Sequence, residues 1–117
     1  MSNNINKKLI GETCEACTSE SSPLQDDEII KLLNGIDTWE IQYQDSVPVL
    51  IKEYKFRNFV EALAFTNKVG EMAETMQHHP DITTKWGSVT LAWYTHAIGG
   101  LHRNDFRCAA RSDALYS

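Results

Sequence analysis

The run from Phe59 to Met76 limits the possible folds more than any other stretch, because it holds no proline and only one glycine, Gly70. Asn58 stands before it as a helix cap. Phe59, Ala62, Leu63, Phe65, Val69, Met72, Ala73 and Met76 recur at helical spacing, a stripe wide enough to cover a sheet with some surface left for a neighbouring subunit. The flanking segments change period. Before the helix, Trp39, Ile41 and Tyr43 alternate with Glu40, Gln42 and Gln44; Asp45-Ser46-Val47-Pro48 then turns the chain into a second β-rich run, Val49 to Phe56. After it, Ile82 to Trp86 and Ser88 to His96 read as another hairpin hinged near Gly87. Two shorter helices complete the pattern. One opens on Asp26-Asp27-Glu28 and closes at Asn34-Gly35; the other is capped by Asn104 or Asp105 and carries Phe106, Ala109, Ala110 and Leu115. The expectation is a single α+β domain in the order α-β-β-α-β-β-α, an antiparallel four-stranded sheet with three helices on one face. Periodicity leaves the strand order open.

Residues 1–23 are polar, without apolar periodicity, and read as a flexible N-terminal arm ahead of a domain at 24–117. The arm contains Cys14-Glu15-Ala16-Cys17. Such a pair can give two zinc ligands, but a closed site needs four and no second pair follows at a usual spacing, so the reading is two unpaired thiols in a tail. With Cys108 the cysteine count is odd, which argues against a disulfide framework. A formal net charge of -5 disfavours a nucleic-acid surface. No apolar run approaches the ~18 residues of a membrane span, and no signal-like stretch opens the chain, so a cytoplasmic location is expected.

Chemistry concentrates at Glu74-Thr75-Met76-Gln77-His78-His79-Pro80. If the helix runs that far, Glu74 and His78 share a face at i,i+4 and can hydrogen-bond. Pro80 stops the helix and sends His79 in another direction. Imidazole titrates near neutrality and can both give and take a proton. His96, at the end of the fourth strand, is the third histidine expected to converge there. A zinc reading is weaker, since adjacent His78 and His79 do not easily face one ion and no i,i+4 histidine pair is present. His102 reads as a surface or capping residue, Asp105 as a helix-start carboxylate, and Trp86 as a residue close in sequence to the His-His-Pro end. No nucleophile elbow, phosphate loop or dinucleotide fingerprint appears, which leaves histidine proton transfer.

The spacing Glu74, His78-His79-Pro80, Trp86, His96, Asp105 resembles the motif of the pterin-4a-carbinolamine dehydratases, also called 4a-hydroxytetrahydrobiopterin dehydratases. The likeness runs from about Leu24 to about Leu115. The CxxC arm, Ala64 to Asn67 and Gly100 to Phe106 are similar to bacterial members; Ile98 stands where some members carry a cysteine. This resemblance implies dehydration of a 4a-hydroxytetrahydropterin to the quinonoid dihydropterin, recycling the pterin of an aromatic amino acid hydroxylase. It implies His78, His79 and His96 as catalytic residues, with Glu74, Trp86 and Asp105 binding or orienting. Glu74 would orient His78, His78 and His96 would divide acid and base roles, and His79 would hold the pterin. The pterin is then substrate, and neither cofactor nor metal is expected. A homodimer or homotetramer is implied, as is phenylalanine hydroxylase as a partner. The alternative that the family suggests is a non-catalytic role, binding a hydroxylase or a transcriptional regulator.

Overall fold

The computed structural model of the protein describes residues 2–14, 23–36 and 38–116. The order is α1 (Ser2–Gly11), α2 (Asp26–Leu33), β1 (Glu40–Gln44), β2 (Val47–Lys55), α3 (Phe59–Met76), β3 (Asp81–Lys85), β4 (Ser88–Trp93), a 3₁₀ turn (His96–Ile98) and α4 (Arg103–Leu115). The class is α+β with one antiparallel sheet, as the periodicity implies. Its strand order, β1-β2-β4-β3, puts the second strand of each hairpin at the centre. Leu50 faces Trp93 and Tyr54 faces Val89 across the β2-β4 seam, so one face of the sheet presents large buried side chains. Ala62, Phe65, Val69 and Ala73 of α3, and Phe106, Ala109 and Ala110 of α4, close over that face. Glu40, Gln42, Glu53 and Thr90 line a groove of about 620 Å³ on the other side.

Among the described residues four α-helices form where three were expected, because the N-terminal segment is not featureless. Helix α1 packs against α4 and buries Leu9 completely. Gly35 makes room for it: a Cβ there would stand 2.6 Å from Ile5 Cγ2, and Asn6 Nδ2 donates to the Gly35 carbonyl at 3.1 Å. Past the helix, the Glu12 carboxylate accepts from Arg103 (2.8 and 2.9 Å) and Arg107 (2.7 Å), while Arg111 donates to the Glu12 carbonyl at 2.8 Å. The hydrogen bond from Arg103, then that from Arg107 and both positive charges, hold the Glu12 carboxyl down at about 2 against the opposing effect of burial. The stability from this contact is present above the ordinary carboxyl pKa of 4.5 and is lost as pH falls toward 2. The N-terminal helix escaped sequence reading because its apolar content is small and its partners, Arg103, Arg107 and Arg111, lie ninety or more residues away. Cys17 lies outside the described residues.

Two further boundaries differ from expectation. Strand β4 stops at Trp93 rather than reaching His96, which instead opens the 3₁₀ turn; Thr95, just before it, bridges to Gly100. The cap of α4 is His102, whose Nδ1 accepts from the Asn104 N–H at 3.0 Å, with Asp105 as the reciprocal member of a capping box.

Truncating Leu9 to Ala should cost about 2–5 kcal/mol of unfolding free energy, the range for a fully buried leucine, measured by urea denaturation of the full chain. A change within ~0.5 kcal/mol would mean that α1 is not part of the cooperative unit.

Candidate functional site

Helix α3 ends at Met76, two residues short of His78, so the Glu74-His78 pairing across one helical turn does not form. Gln77 takes a left-handed conformation (φ 55, ψ 38), its N–H reaches the Glu74 carbonyl, and the His78 N–H returns to Ala73 at 3.1 Å. This is a Schellman-type close. With Pro80 two residues on, the chain cannot re-enter a helix, so the reversal at Gln77 sends His78 and His79 to different places. His78 turns inward, stacks on Trp93 (centroids 5.8 Å apart, planes 9° apart) and places Nε2 2.6 Å from Asp105 Oδ1. His79 stays at the surface, its Nε2 2.6 Å from Glu74 Oε2. The expected partnership is therefore exchanged: Asp105 orients His78, and Glu74 pairs with His79 five residues on.

Asp105 is the buried anchor. Its side chain is fully enclosed, and besides His78 it accepts from Thr95 Oγ1 at 2.8 Å and from the His102 N–H at 2.9 Å. The His78 side chain is 11% exposed. Burial is the largest single influence on that ring and favours its neutral form. The hydrogen bond and charge of Asp105, with a smaller contribution from Cys14, outweigh it and raise the pKa above the ordinary 6.5.

His96 lies next to Thr95, and so at the same end of the sheet. Its Nε2 is 3.0 Å from Tyr94 Oη, and that hydroxyl is 3.2 Å from both oxygens of Asp81. Asp81 follows His79-Pro80 directly. A phenol has one proton; once it is donated to the carboxylate, the imidazole must donate through Nε2, which leaves Nδ1 as acceptor. Burial, followed by the charge of Asp81 and its hydrogen bond, pushes the Tyr94 pKa up and so keeps that proton in place. The His78-Asp105-Thr95 and His96-Tyr94-Asp81 chains thus meet through adjacent residues of the β4 exit and the β3 entry. Tyr94, Thr95 and Asp81 were absent from the sequence reading. Thr95 had a usable signal, a hydroxyl at the close of an apolar strand that needs a partner once buried.

Trp86 is not brought to this cluster. It is 69% exposed at the β3-β4 turn, a full strand beyond Asp81, or roughly 17 Å at the usual rise. A groove of about 650 Å³ opens at that opposite end, lined by Lys55, Phe56, Arg57, Phe65, Lys68 and Tyr116 among others. It contains no histidine. Among the described residues, no group of three or more His, Cys, Asp or Glu is arranged to hold a metal ion, and no helix is long and apolar enough to cross a membrane.

A family model described as pterin 4 alpha carbinolamine dehydratase matches residues 22–115. A curated relative from Saccharophagus degradans, provisionally named a pterin-4-alpha-carbinolamine dehydratase, is 47% identical over 108 residues, 92% of this chain and 96% of that protein. Among solved structures, a transcriptional coactivator/pterin dehydratase from Brucella melitensis superposes with a TM-score of 0.73 at 25% identity, over 82% of this chain and all of that one. A pterin dehydratase-like protein identified as a RuBisCO assembly factor in the alpha-carboxysome is similar at a TM-score of 0.59 and 25% identity, over 68% of this chain and 90% of its own.

Titration of the His78 ring by NMR should give a pKa above 6.5, and Asp105→Asn, which keeps an acceptor for Thr95 and His102, should lower it. Because the folded pKa is the higher one, the stability due to this pair is full below about 6.5 and fades as pH rises through the folded value. An unchanged His78 titration in Asp105→Asn would refute the pairing.

Proposed function

The chain belongs to the pterin 4 alpha carbinolamine dehydratase family, and on that premise we propose that it removes water from a 4a-hydroxytetrahydropterin by histidine acid and base catalysis. What supports the reading is the buried His78-Asp105 pair, with a second, differently polarised histidine, His96, at the same end of the sheet. In the reaction the N5 lone pair forms the new bond to C4a as the C4a–O bond breaks. Hydroxide is a poor leaving group, so the oxygen must receive a proton as it departs. His78 suits that part: its raised pKa favours the imidazolium, Asp105 takes the Nε2 proton in a hydrogen bond, and Nδ1–H remains to donate. The proton lost from N5 then needs a base. His96 suits that part, since donation from Nε2 to Tyr94 leaves its Nδ1 lone pair available.

His79, exposed and paired with Glu74, is assigned to binding the pterin or its hydroxyl rather than to proton transfer. Asp105 is a positioning residue acting through His78. Trp86 has no part in this scheme within a single chain. The product is the quinonoid dihydropterin, so the protein would serve a pterin-dependent hydroxylase, and phenylalanine hydroxylase is the partner proposed.

A second reading draws on Phe59, Val60 and Leu63, which form an exposed apolar row at the start of α3. That row suits docking of a second copy or another protein, in line with the coactivator and assembly-factor roles of the structural relatives. The two readings separate cleanly. His78→Ala or His96→Ala should lower carbinolamine dehydration by about 10²–10⁴-fold, followed with freshly generated substrate. Val60→Glu should instead reduce the sedimentation mass and spare turnover. Near-normal turnover in both histidine variants would remove the catalytic mechanism.

A further inference from the structure

Cys14 and Cys108 transfer no proton in the chemistry above, yet they are brought together from positions 94 residues apart, with Sγ atoms 3.6 Å from each other. One sits just past α1 and is half-buried; the other lies in α4, three residues after Asp105, and is fully buried. Contact at this distance is that of a thiol hydrogen bond, and a covalent bond of about 2.05 Å requires the sulfurs to close by about 1.6 Å. Cys14 belongs to the segment that follows α1. It is already fastened by Glu12, two residues before Cys14, to Arg103 and Arg107. Packing therefore removes most of the search that a long-range cross-link otherwise demands.

The surroundings also separate the two thiols chemically. The hydrogen bond from Cys108 comes first among the influences that bring Cys14 down to about 7, joined by the positive charges of His78, Arg107 and Arg111 and opposed by burial. The same hydrogen bond, and burial after it, push Cys108 up. One sulfur is thus a nucleophile held in a cationic setting, and its neighbour keeps its proton.

We propose that Cys14 and Cys108 constitute a redox modification site, oxidised by hydroperoxides to a disulfide that clamps the N-terminal segment onto α4 beside the His78-Asp105 pair. The Cys14 thiolate attacks the terminal oxygen of the hydroperoxide, forming an S–O bond as the O–O bond breaks; the alkoxide, or hydroxide where the oxidant is hydrogen peroxide, leaves and takes up a proton. Cys108 sulfur then attacks Cys14 sulfur, forming the S–S bond and breaking the S–O bond. The departing hydroxide leaves as water with the Cys108 proton. Two thiols are oxidised and one hydroperoxide is reduced.

The test uses the full chain and a Cys17→Ser variant, each treated with one equivalent of hydrogen peroxide at pH 7, alkylated, and digested with trypsin without reductant. Mass spectrometry should find the peptide Leu9 to Lys31 joined to Cys108 to Arg111, cleaved by dithiothreitol, in both proteins. The Cys17→Ser chain should lose both of its thiols, and the parent chain should retain one. Cys14→Ser should slow oxidation at Cys108 by about tenfold or more, since the remaining thiol is the protonated one. A Cys14-Cys17 link with Cys108 still alkylated would overturn the proposal. So would sulfinic acid at Cys14 with Cys108 free, or undiminished oxidation of Cys108 in Cys14→Ser.

Discussion

The carboxylate of Asp105 is the interaction on which the arrangement of this domain turns. A fully enclosed anion is costly unless its lone pairs are satisfied, and here three donors converge on it from three different parts of the chain. The His102 N–H fixes the start of α4. Thr95 fixes the exit of β4. His78 fixes the end of α3. One charge thereby locks the two helices and the strand whose ends carry the histidines. Breaking any of these bonds would leave buried charge underpaired, so the geometry has little freedom to drift.

A second carboxylate on the same helix plays a comparable part further along. Asp113 accepts from Trp39 Nε1 at 3.2 Å, from Lys52 Nζ at 2.7 Å and from the Tyr54 hydroxyl. Lys52 also lies 4.6 Å from the centroid of the Tyr54 ring, a cation over an aromatic face. Burial, then the charge and hydrogen bond of Asp113, push the Tyr54 hydroxyl well above its usual range, so it stays a donor. Helix α4 therefore meets the sheet through two anions and an alanine-rich strip between them, Ala109-Ala110, which lets the backbones approach closely. Its outward side receives α1 through Glu12. Helix α4 thus touches α1, α3 and the sheet, and the proposed sulfur pair joins it to the segment that follows α1.

The end of α3 shows how a small backbone choice sets chemistry. Had the helix continued one more turn, His78 would have lain over Glu74 in solvent, and Asp105 would have been left with Thr95 and a backbone amide. The left-handed residue at Gln77 costs some local strain, since a side chain there lacks the freedom of glycine. It is offset by the two capping hydrogen bonds and by the stacking of His78 on Trp93. The inward ring becomes the one whose protonation the protein controls. Exposed and paired with an exposed carboxylate, His79 is left to face whatever approaches.

Alternation and helical spacing determined much about this protein: the two hairpins, the long helix capped at Asn58 and the α+β class, while the spacing of His78, His79, His96 and Asp105 carried the family resemblance. Those are local properties, set by which side chains can share a dry face, and they survive without knowledge of distant partners. The strand order, the exchange of partners between Glu74 and Asp105, the placement of Trp86 away from the histidines, the docked N-terminal helix and the meeting of Cys14 with Cys108 were decided only in the tertiary structure. Each depends on a contact between residues far apart in the chain or on a single left-handed turn. Neither leaves a period in the sequence, because a buried charge selects its partners by position in space.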